Sequence, residues 1–450
     1  MITSGLIEKY NIAAPRYTSY PTVPYWETEY WNQDEWLISV KKSYQEGRKE
    51  GISLYIHLPF CESLCTYCGC NTRITKNHAV EDPYLAAVIK EWKMYCKVLD
   101  CKPLIREIHL GGGTPTFFSA ANLEKLILGI LKESEIAEES EFSFEAHPGN
   151  TTFEHLQVLY NLGFRRLSLG IQDFDPKVQE IINRKQSIEQ VRQITIQARE
   201  MGYTSINYDL IYGLPLQKLS SVENTIAEVI KLMPDRIAFY SYAHVPWLKP
   251  GQRKFTEDDL PDADEKRALY QKGLELLKSQ GYIDIGMDHF ALETDSLFKA
   301  AKNHTLHRNF MGYTNQYTQL SIGLGVSSIS DSWYAFSQNV KVLDAYLKLI
   351  AEDKFPLFKG HLLTDDDLIY RKMILDIMCK GYTDFDKDNP QFAGIMSRLT
   401  SVMEDRFIEF KNKKLIVTTL GQAFLRNICM AFDERLWHKQ PESQIFSKAV

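Results

Sequence analysis

Four cysteines fall within ten residues of this chain, in HLPFCESLCTYCGCN: Cys61, Cys65, Cys68 and Cys70. The first three have the spacing C-x3-C-x2-C, directly after ISLYIHLPF, an apolar run that reads as a buried strand. A short loop leaving a strand can wrap three thiolates around one face of a cubane. A [4Fe–4S] cluster usually takes four cysteines, so three leave one iron open to a substrate or cofactor. Zinc is the competing occupant, although zinc sites favour paired C-x2-C units. Cys96 and Cys101 form the only other close pair, with a different spacing and in a helical stretch. A disulfide framework does not suit a chain of 450 residues with eight cysteines and no apolar leader.

That length allows one large core plus a smaller domain. No apolar run approaches the roughly 18 residues of a membrane span. A cytoplasmic, reducing setting is therefore expected, and it suits free thiolates. The net charge of −6 argues against a broad nucleic-acid surface. An anionic substrate would need a local basic pocket.

From residue 51 a strand–helix alternation begins. Strands are expected at 52–58, 105–110, 141–146, 165–171, 204–211 and 235–242, with one more in 281–290. Several read as continuous apolar runs, as when both faces are covered. Six such repeats predict a parallel α/β sheet, doubly wound or curved into an incomplete TIM-like barrel, with function at the carboxyl ends of the strands. LHRNFMGYTNQY and LSIGLGVSSIS read as loops with glycine turns. From about 363 the order helix, helix, hairpin, helix resembles a winged-helix module, read as a cap because it has no basic excess. The divisions expected are an arm at 1–50, a barrel with its extension at 51–350 and a mostly helical cap at 351–450.

The chemistry-bearing residues gather at strand ends. GGGTP at 111–115 lets backbone amides approach a ligand. Glu145 and Asp209 end apolar strands, where each carboxylate accepts hydrogen bonds from a ligand or pairs with a helix arginine such as Arg166 or Arg184. Arg16, in PRYTSYP, and Arg308, in LHRNF, are candidates for gripping carboxylates, because a guanidinium pairs with them bidentately. No His pair has a helical metal spacing, so no second metal is expected.

Together these segments resemble the oxygen-independent coproporphyrinogen III oxidases of the radical S-adenosylmethionine (SAM) superfamily. The resemblance runs through YNIAAPRYTSYPT, LYIHLPFCESLCTYCGCN, GGGTPT, RLSLGIQDF, NYDLIYGLP, GMDHFA, LHRNFMGYT, GVSSIS and LRNICMAFD. Cys70, the PRYTSYP arm and HRNFMGYT are its most specific parts. Haem-trafficking chaperones and anaerobic haem-degrading enzymes are the neighbouring alternatives. The resemblance implies a (β/α)6 radical SAM barrel in which Cys61, Cys65 and Cys68 hold a [4Fe–4S] cluster and SAM chelates the open iron, with Cys70 not a ligand. One electron then yields a 5′-deoxyadenosyl radical that takes a hydrogen from a propionate β-carbon. Loss of CO2 and one more electron leaves a vinyl group, twice per coproporphyrinogen III. Tyr55, Gly112, Glu145 and Ile329 match contacts to the cluster-bound SAM. Tyr67, Gly113, Thr114, Gln172, Arg184, Asp209 and Ala243 match a second SAM. An electron donor, an electron acceptor and a monomeric state complete the expectations.

Overall fold

The computed structural model describes residues 4–29, 31–247, 249–439 and 445–448. They form two compact units, one of residues 33–298 and 318–358, the other of 1–32, 299–317 and 359–450. The expected divisions at 50 and 350 do not coincide with these. Helix α1 (Gln33–Glu46) belongs to the larger unit, where the Trp36 indole N–H donates to the Tyr95 hydroxyl at 3.4 Å and Ser39 bonds Ser332 at 2.8 Å.

The larger unit is built on six parallel strands: β1 (Ile52–Leu58), β2 (Leu104–Gly112), β3 (Glu135–Ala146), β4 (Phe164–Gln172), β5 (Ser205–Tyr212) and β6 (Arg236–Ser241). Helices alternate with them: α2 (Glu81–Leu99), α3 (Ala120–Leu131), α4 (Phe153–Asn161), α5 (Pro176–Ile181), α6 (Ile188–Met201) and α7 (Leu219–Leu232), then α8 (Ala263–Ser279). Local signals place them. The Ser187–Gln190 capping box starts α6 and Gly202, at φ 99°, ends it. Tyr84, Leu85, Val88, Trp92, Tyr95 and Leu99 recur on one face of α2, and that face is buried.

The strands are not apolar throughout. Apolar residues alternate with polar ones: Leu54, Ile56 and Leu58 with Ser53, Tyr55 and His57 on β1, and Phe142 and Phe144 with Glu141, Ser143 and Glu145 on β3. Register aligns the polar set across neighbouring strands: Ser53 with Glu107 and Glu141, Tyr55 with His109 and Ser143, then Glu145 with Ser168 and Asn207. The polar residues bond one another in successive layers, so this face lines the barrel, while the apolar face packs under the helices.

Both sheet edges extend past the six strands. The segment expected as glycine-turn loops forms β9 (Ser321–Leu324), parallel to β1, and β10 (Ile329–Asp331), antiparallel to it and to β11 (Ala335–Asn339). Leu320, Ile322 and Leu324 are buried, and Gly323 leaves room for the Ile329 backbone; pairing partners far away in sequence decide this, not the local glycines. At the other edge β7 (Ile283–Gly286) and β8 (His289–Ala291) form a hairpin that pairs antiparallel to β6.

In the smaller unit, helices α9 (Asp365–Lys380), α10 (Ala393–Glu404) and α11 (Leu425–Met430) surround a sheet of β12 (Tyr382–Asp384), β13 (Ile408–Lys411) and β14 (Lys414–Val417), the winged-helix-like order expected. LHRNFMGYT, expected as a loop, forms a short hairpin of His307–Asn309 with Gly312–Thr314. Arg426 ties the chain ends, donating to the carbonyls of Ala14, Pro15, Ser447 and Lys448. Among the described residues no helix is long and apolar enough to cross a membrane.

Candidate active site

The cysteine loop leaves the carboxyl end of β1. Thr66 anchors it, its N–H donating to the Ile182 carbonyl at 2.9 Å and its hydroxyl to the Ile181 carbonyl at 3.1 Å, while the Asn183 amide donates to the Leu64 carbonyl at 2.8 Å. Cys61, Cys65 and Cys68 are each partly exposed and unpaired. Cys61 Sγ lies 3.3 Å from the Thr114 hydroxyl, and Arg184 Nη1 donates to Cys65 Sγ at 3.6 Å. Burial pushes the Cys61 thiol up to about 11. Cys68 is drawn down to about 6 by the hydrogen bond from the Cys70 thiol, against burial and with help from the Cys70 N–H and the Lys249 and Arg184 charges. Among the described residues no three His, Cys, Asp or Glu side chains are gathered as the ligands of a single metal ion. A cubane does not ask for that: each thiolate takes a different iron, so its ligands need not converge on one point. An all-thiol donor set beside a fixed guanidinium suits such a cluster.

Around the loop the strand ends carry the polar rim. Glu145 Oε2 accepts the Gly112 N–H at 3.2 Å, and Oε1 lies 3.4 Å from His109 Nε2. The Ser143 hydroxyl sits 2.8 Å from His109 Nδ1, so both ring nitrogens have a polar neighbour. Burial alone would raise Glu145; the His109 and Gly112 bonds outweigh it and hold the carboxyl below its ordinary range. The Tyr55 ring stacks on His109 at 6.0 Å between centroids, and its hydroxyl lies 3.1 Å from His57 Nδ1. Gly112 has φ 114°, and a Cβ there would stand 2.6 Å from the His57 ring. Side chains are excluded there twice over, by backbone and by space.

On the opposite side of the mouth, Arg184 donates through Nε to the Gly170 carbonyl at 3.1 Å. A Cβ on Gly170 would meet both Arg184 Nη2, at 2.7 Å, and Gln172 Nε2, at 2.8 Å, so these two side chains share one spot above the end of β4. Gln172 itself has φ 67°, in the left-handed region. Asp209 accepts from the Ser168 hydroxyl and the Asn207 amide, both at 2.9 Å, and burial lifts its carboxyl to about 6, with the Glu145 charge adding to the rise. The helix-arginine alternative does not apply to either carboxylate: Arg166 pairs with Glu141, and the Arg184 guanidinium bonds Gly170 and Cys65.

Sequence reasoning passed over Gln252. Only 2% exposed, it accepts the Val245 N–H at 2.6 Å and donates to the carbonyls of Tyr67, at 3.2 Å, and Ala243, at 3.3 Å. It therefore joins the cysteine loop to the end of β6. No local pattern marks a glutamine in PGQRK for this duty. Gly113 donates its N–H to the Leu58 carbonyl at 2.8 Å, and Ile329 begins β10, which lies between β9 and β11 in the sheet. Arg16 and Arg308 lie in the smaller unit, where Arg308 Nη2 donates to the Arg16 carbonyl at 3.1 Å.

Residues 55–229 match the radical SAM superfamily. The oxygen-independent coproporphyrinogen III oxidase of Synechocystis sp. is 38% identical over the whole of this chain and 98% of its own length. The chain belongs to the oxygen-independent coproporphyrinogen III oxidase family. Its relative of that name from Escherichia coli is 37% identical over 99% of this chain and 98% of its own. The solved structure of the Escherichia coli coproporphyrinogen III oxidase, described as a radical SAM enzyme, superimposes with a TM-score of 0.88 at 36% identity, covering 94% of this chain and 98% of that one. Membership in this family implies a [4Fe–4S] cluster and SAM, which accords with the thiol loop and the polar rim.

Proposed function

We propose that this protein converts two propionate side chains of coproporphyrinogen III to vinyl groups by oxidative decarboxylation, giving protoporphyrinogen IX. The carrying observation is the placement of three partly exposed thiols beside a rim of carboxylates and backbone amides at the carboxyl ends of six parallel strands. When bound, the cluster and SAM supply the radical that removes a hydrogen atom from the propionate. For each side chain, one hydrogen and one CO2 leave and one electron passes to an external acceptor.

The chain's own residues bind and orient. Cys61, Cys65 and Cys68 hold the cluster. Glu145, kept ionised by His109 and Gly112, accepts from the SAM amino group or ribose, and Tyr55 and Ile329 border the same place. Arg184, Gln172, Asp209, Tyr67, Gly113, Thr114 and Ala243 serve a second SAM. Arg308 and Arg16 grip substrate carboxylates. Arg308 supports this reading best: it is 4% exposed, and its Nε and Nη1 have no hydrogen-bond partner. A buried guanidinium whose Nε and Nη1 have no partner suits a carboxylate oxygen as acceptor.

The test is an anaerobic assay of cluster-reconstituted protein with SAM, a reductant, coproporphyrinogen III and an electron acceptor. Two CO2 lost per porphyrin, with 5′-deoxyadenosine formed, is the expected outcome. Neither product from protein with an intact cluster overturns the reading. Arg308→Ala should raise KM for the porphyrinogen at least about tenfold, some 1.4 kcal/mol, with cluster iron unchanged; unaltered kinetics would remove Arg308 from the site.

A further inference from the structure

Glu91 is fully buried on α2, and no basic side chain among the described residues pairs with it. Burial pushes its carboxyl up to about 7. Three donors offset part of that burial. Oε2 accepts the Gly325 N–H at 2.8 Å and the Tyr346 hydroxyl at 2.7 Å, and Oε1 accepts the Asn339 amide at 2.7 Å. An apolar side chain could fill the same space without desolvating a charge. It could not supply directed bonds to three segments: the turn after β9, the end of β11 and the helix Leu343–Ala351. All of them belong to the larger unit.

These bonds converge on the turn at 325–328. Asn339 also donates to the Gly325 carbonyl at 2.9 Å and the Ser328 hydroxyl at 3.1 Å, and that hydroxyl donates to the same carbonyl at 2.7 Å. Ser327 has φ 61°, a conformation that residues with a side chain rarely adopt unless their surroundings impose it. One side of the turn is backed against the end of β1. A Cβ on Gly325 would stand 2.7 Å from the His57 carbonyl oxygen. The Tyr84 hydroxyl donates to that carbonyl at 2.6 Å while accepting the Val326 N–H at 3.1 Å. The turn then delivers Ile329. Gly323 pairs in register with Tyr55, on the face that lines the barrel, and the Ile329 backbone fills the space that a Cβ on Gly323 would need. One turn therefore links the strand end that the cysteine loop leaves to the position of Ile329.

We infer that Glu91 is a positioning residue for the cluster-bound SAM, acting through the 325–328 turn on Ile329 and on the end of β1. The inference rests on the function proposed above, in which Tyr55 and Ile329 border that SAM. The ionised carboxylate accepts all three donors, whereas a proton on either oxygen takes up an acceptor position. The grip is therefore full above about 7 and weakens as pH falls through it. The titratable groups facing Glu91 are Tyr84 and Tyr95 on α2 and Tyr346, phenols that burial keeps neutral. The turn and β11 bring only neutral donors.

The test compares Glu91→Gln with wild type in cluster-reconstituted protein. SAM is the probe, and its binding is read from the change it makes in the reduced cluster's EPR spectrum, at pH 6 and pH 8.5. The ratio of variant to wild-type Kd cancels any titration of SAM itself. That ratio should be about tenfold at pH 8.5 and about twofold or less at pH 6, where wild-type Glu91 is itself protonated. In protein without cluster or SAM, amide hydrogen exchange of residues 325–329 should be faster in the variant at pH 8.5 and alike at pH 6. Glu107→Gln makes the same change to a buried carboxylate that accepts from Ser53, and should bind SAM within about twofold of wild type at both pH values. A ratio that does not change with pH, unaltered exchange, or an equal loss in Glu107→Gln would overturn the inference. If Glu91→Gln does not fold, Tyr346→Phe takes its place. Losing that donor raises the Glu91 carboxyl further, so SAM affinity should begin to fall at a higher pH than in wild type, and an unmoved profile overturns the inference. Wild-type protein with an intact cluster that binds no SAM would bring down the proposed function and this inference with it. SAM bound and turned over, with a flat ratio, would bring down this inference alone.

Discussion

Glu145 lies near the end of β3 and Asp209 within β5, with β4 between the two strands, yet their surroundings set them apart. Glu145 has a histidine and a backbone N–H turned towards it and is ionised; Asp209 has a hydroxyl and an amide, and burial keeps its carboxyl near 6. Glu145→Ala should weaken SAM binding by about tenfold, near 1.4 kcal/mol, measured by equilibrium dialysis, without loss of cluster iron. Asp209 holds its proton more tightly folded than unfolded, so its contribution to stability is full below 3.8 and is lost as pH rises through about 6. Asp209→Asn should therefore raise Tm relative to wild type at pH 7.5 and leave it unchanged at pH 3.5. An equal effect at both values would show that ionisation of Asp209 has no part in it.

At the scale of elements, the loop between Cys65 and Cys68 is held from outside itself. Gln252 reaches it from the segment after β6, and Asn183 and Thr66 fasten it to the segment after α5. Gln252→Ala leaves two carbonyls and one N–H, all partly buried, without their partner, at a cost of about 1 kcal/mol. Faster amide hydrogen exchange in residues 64–70 and lower iron retention on dilution are expected. Gln252→Glu should share part of the loss, since it keeps the acceptor for Val245 but no donor for Tyr67. The helices flanking the site were legible in the chain because capping boxes and apolar stripes are local. The strands β9 and β10 were not, because GLGVSS reads as a turn until β1 and β11 stand beside it.

Across the whole barrel, the end opposite the site is closed by charge. Arg166 pairs with Glu141, Arg236 Nε donates to Asp295 at 2.6 Å, and Ser205 and Ser53 donate to Asp295 and Glu107 at 2.8 and 2.9 Å. Arg236 and Asp295 are almost fully buried. Removing one partner strands the other charge, so Asp295→Ala should destabilise the protein by about 3–5 kcal/mol, read as a fall in Tm. Asp295→Asn should cost less, because it still accepts from Arg236. A Tm change below a degree for Asp295→Ala would mean that the pair does not close the barrel.

The chain alone determined the six parallel strands, the thiol loop after the first and the polar residues at the strand ends, because hydrophobic period, cysteine spacing and turn chemistry are local properties. It also gave the family, through motifs spread from the first residues to the last. Only the tertiary structure decided that the strands carry a polar face into the barrel. The same alternation in sequence fits a half-solvated sheet until the register lines up Tyr55, His109 and Ser143. Only the fold brought His109 to Glu145, Gln252 to Tyr67 and Arg308 to Arg16. Each of these contacts joins residues that lie tens to hundreds of positions apart, and a hydrogen bond is set by the distance between atoms, which sequence separation does not encode.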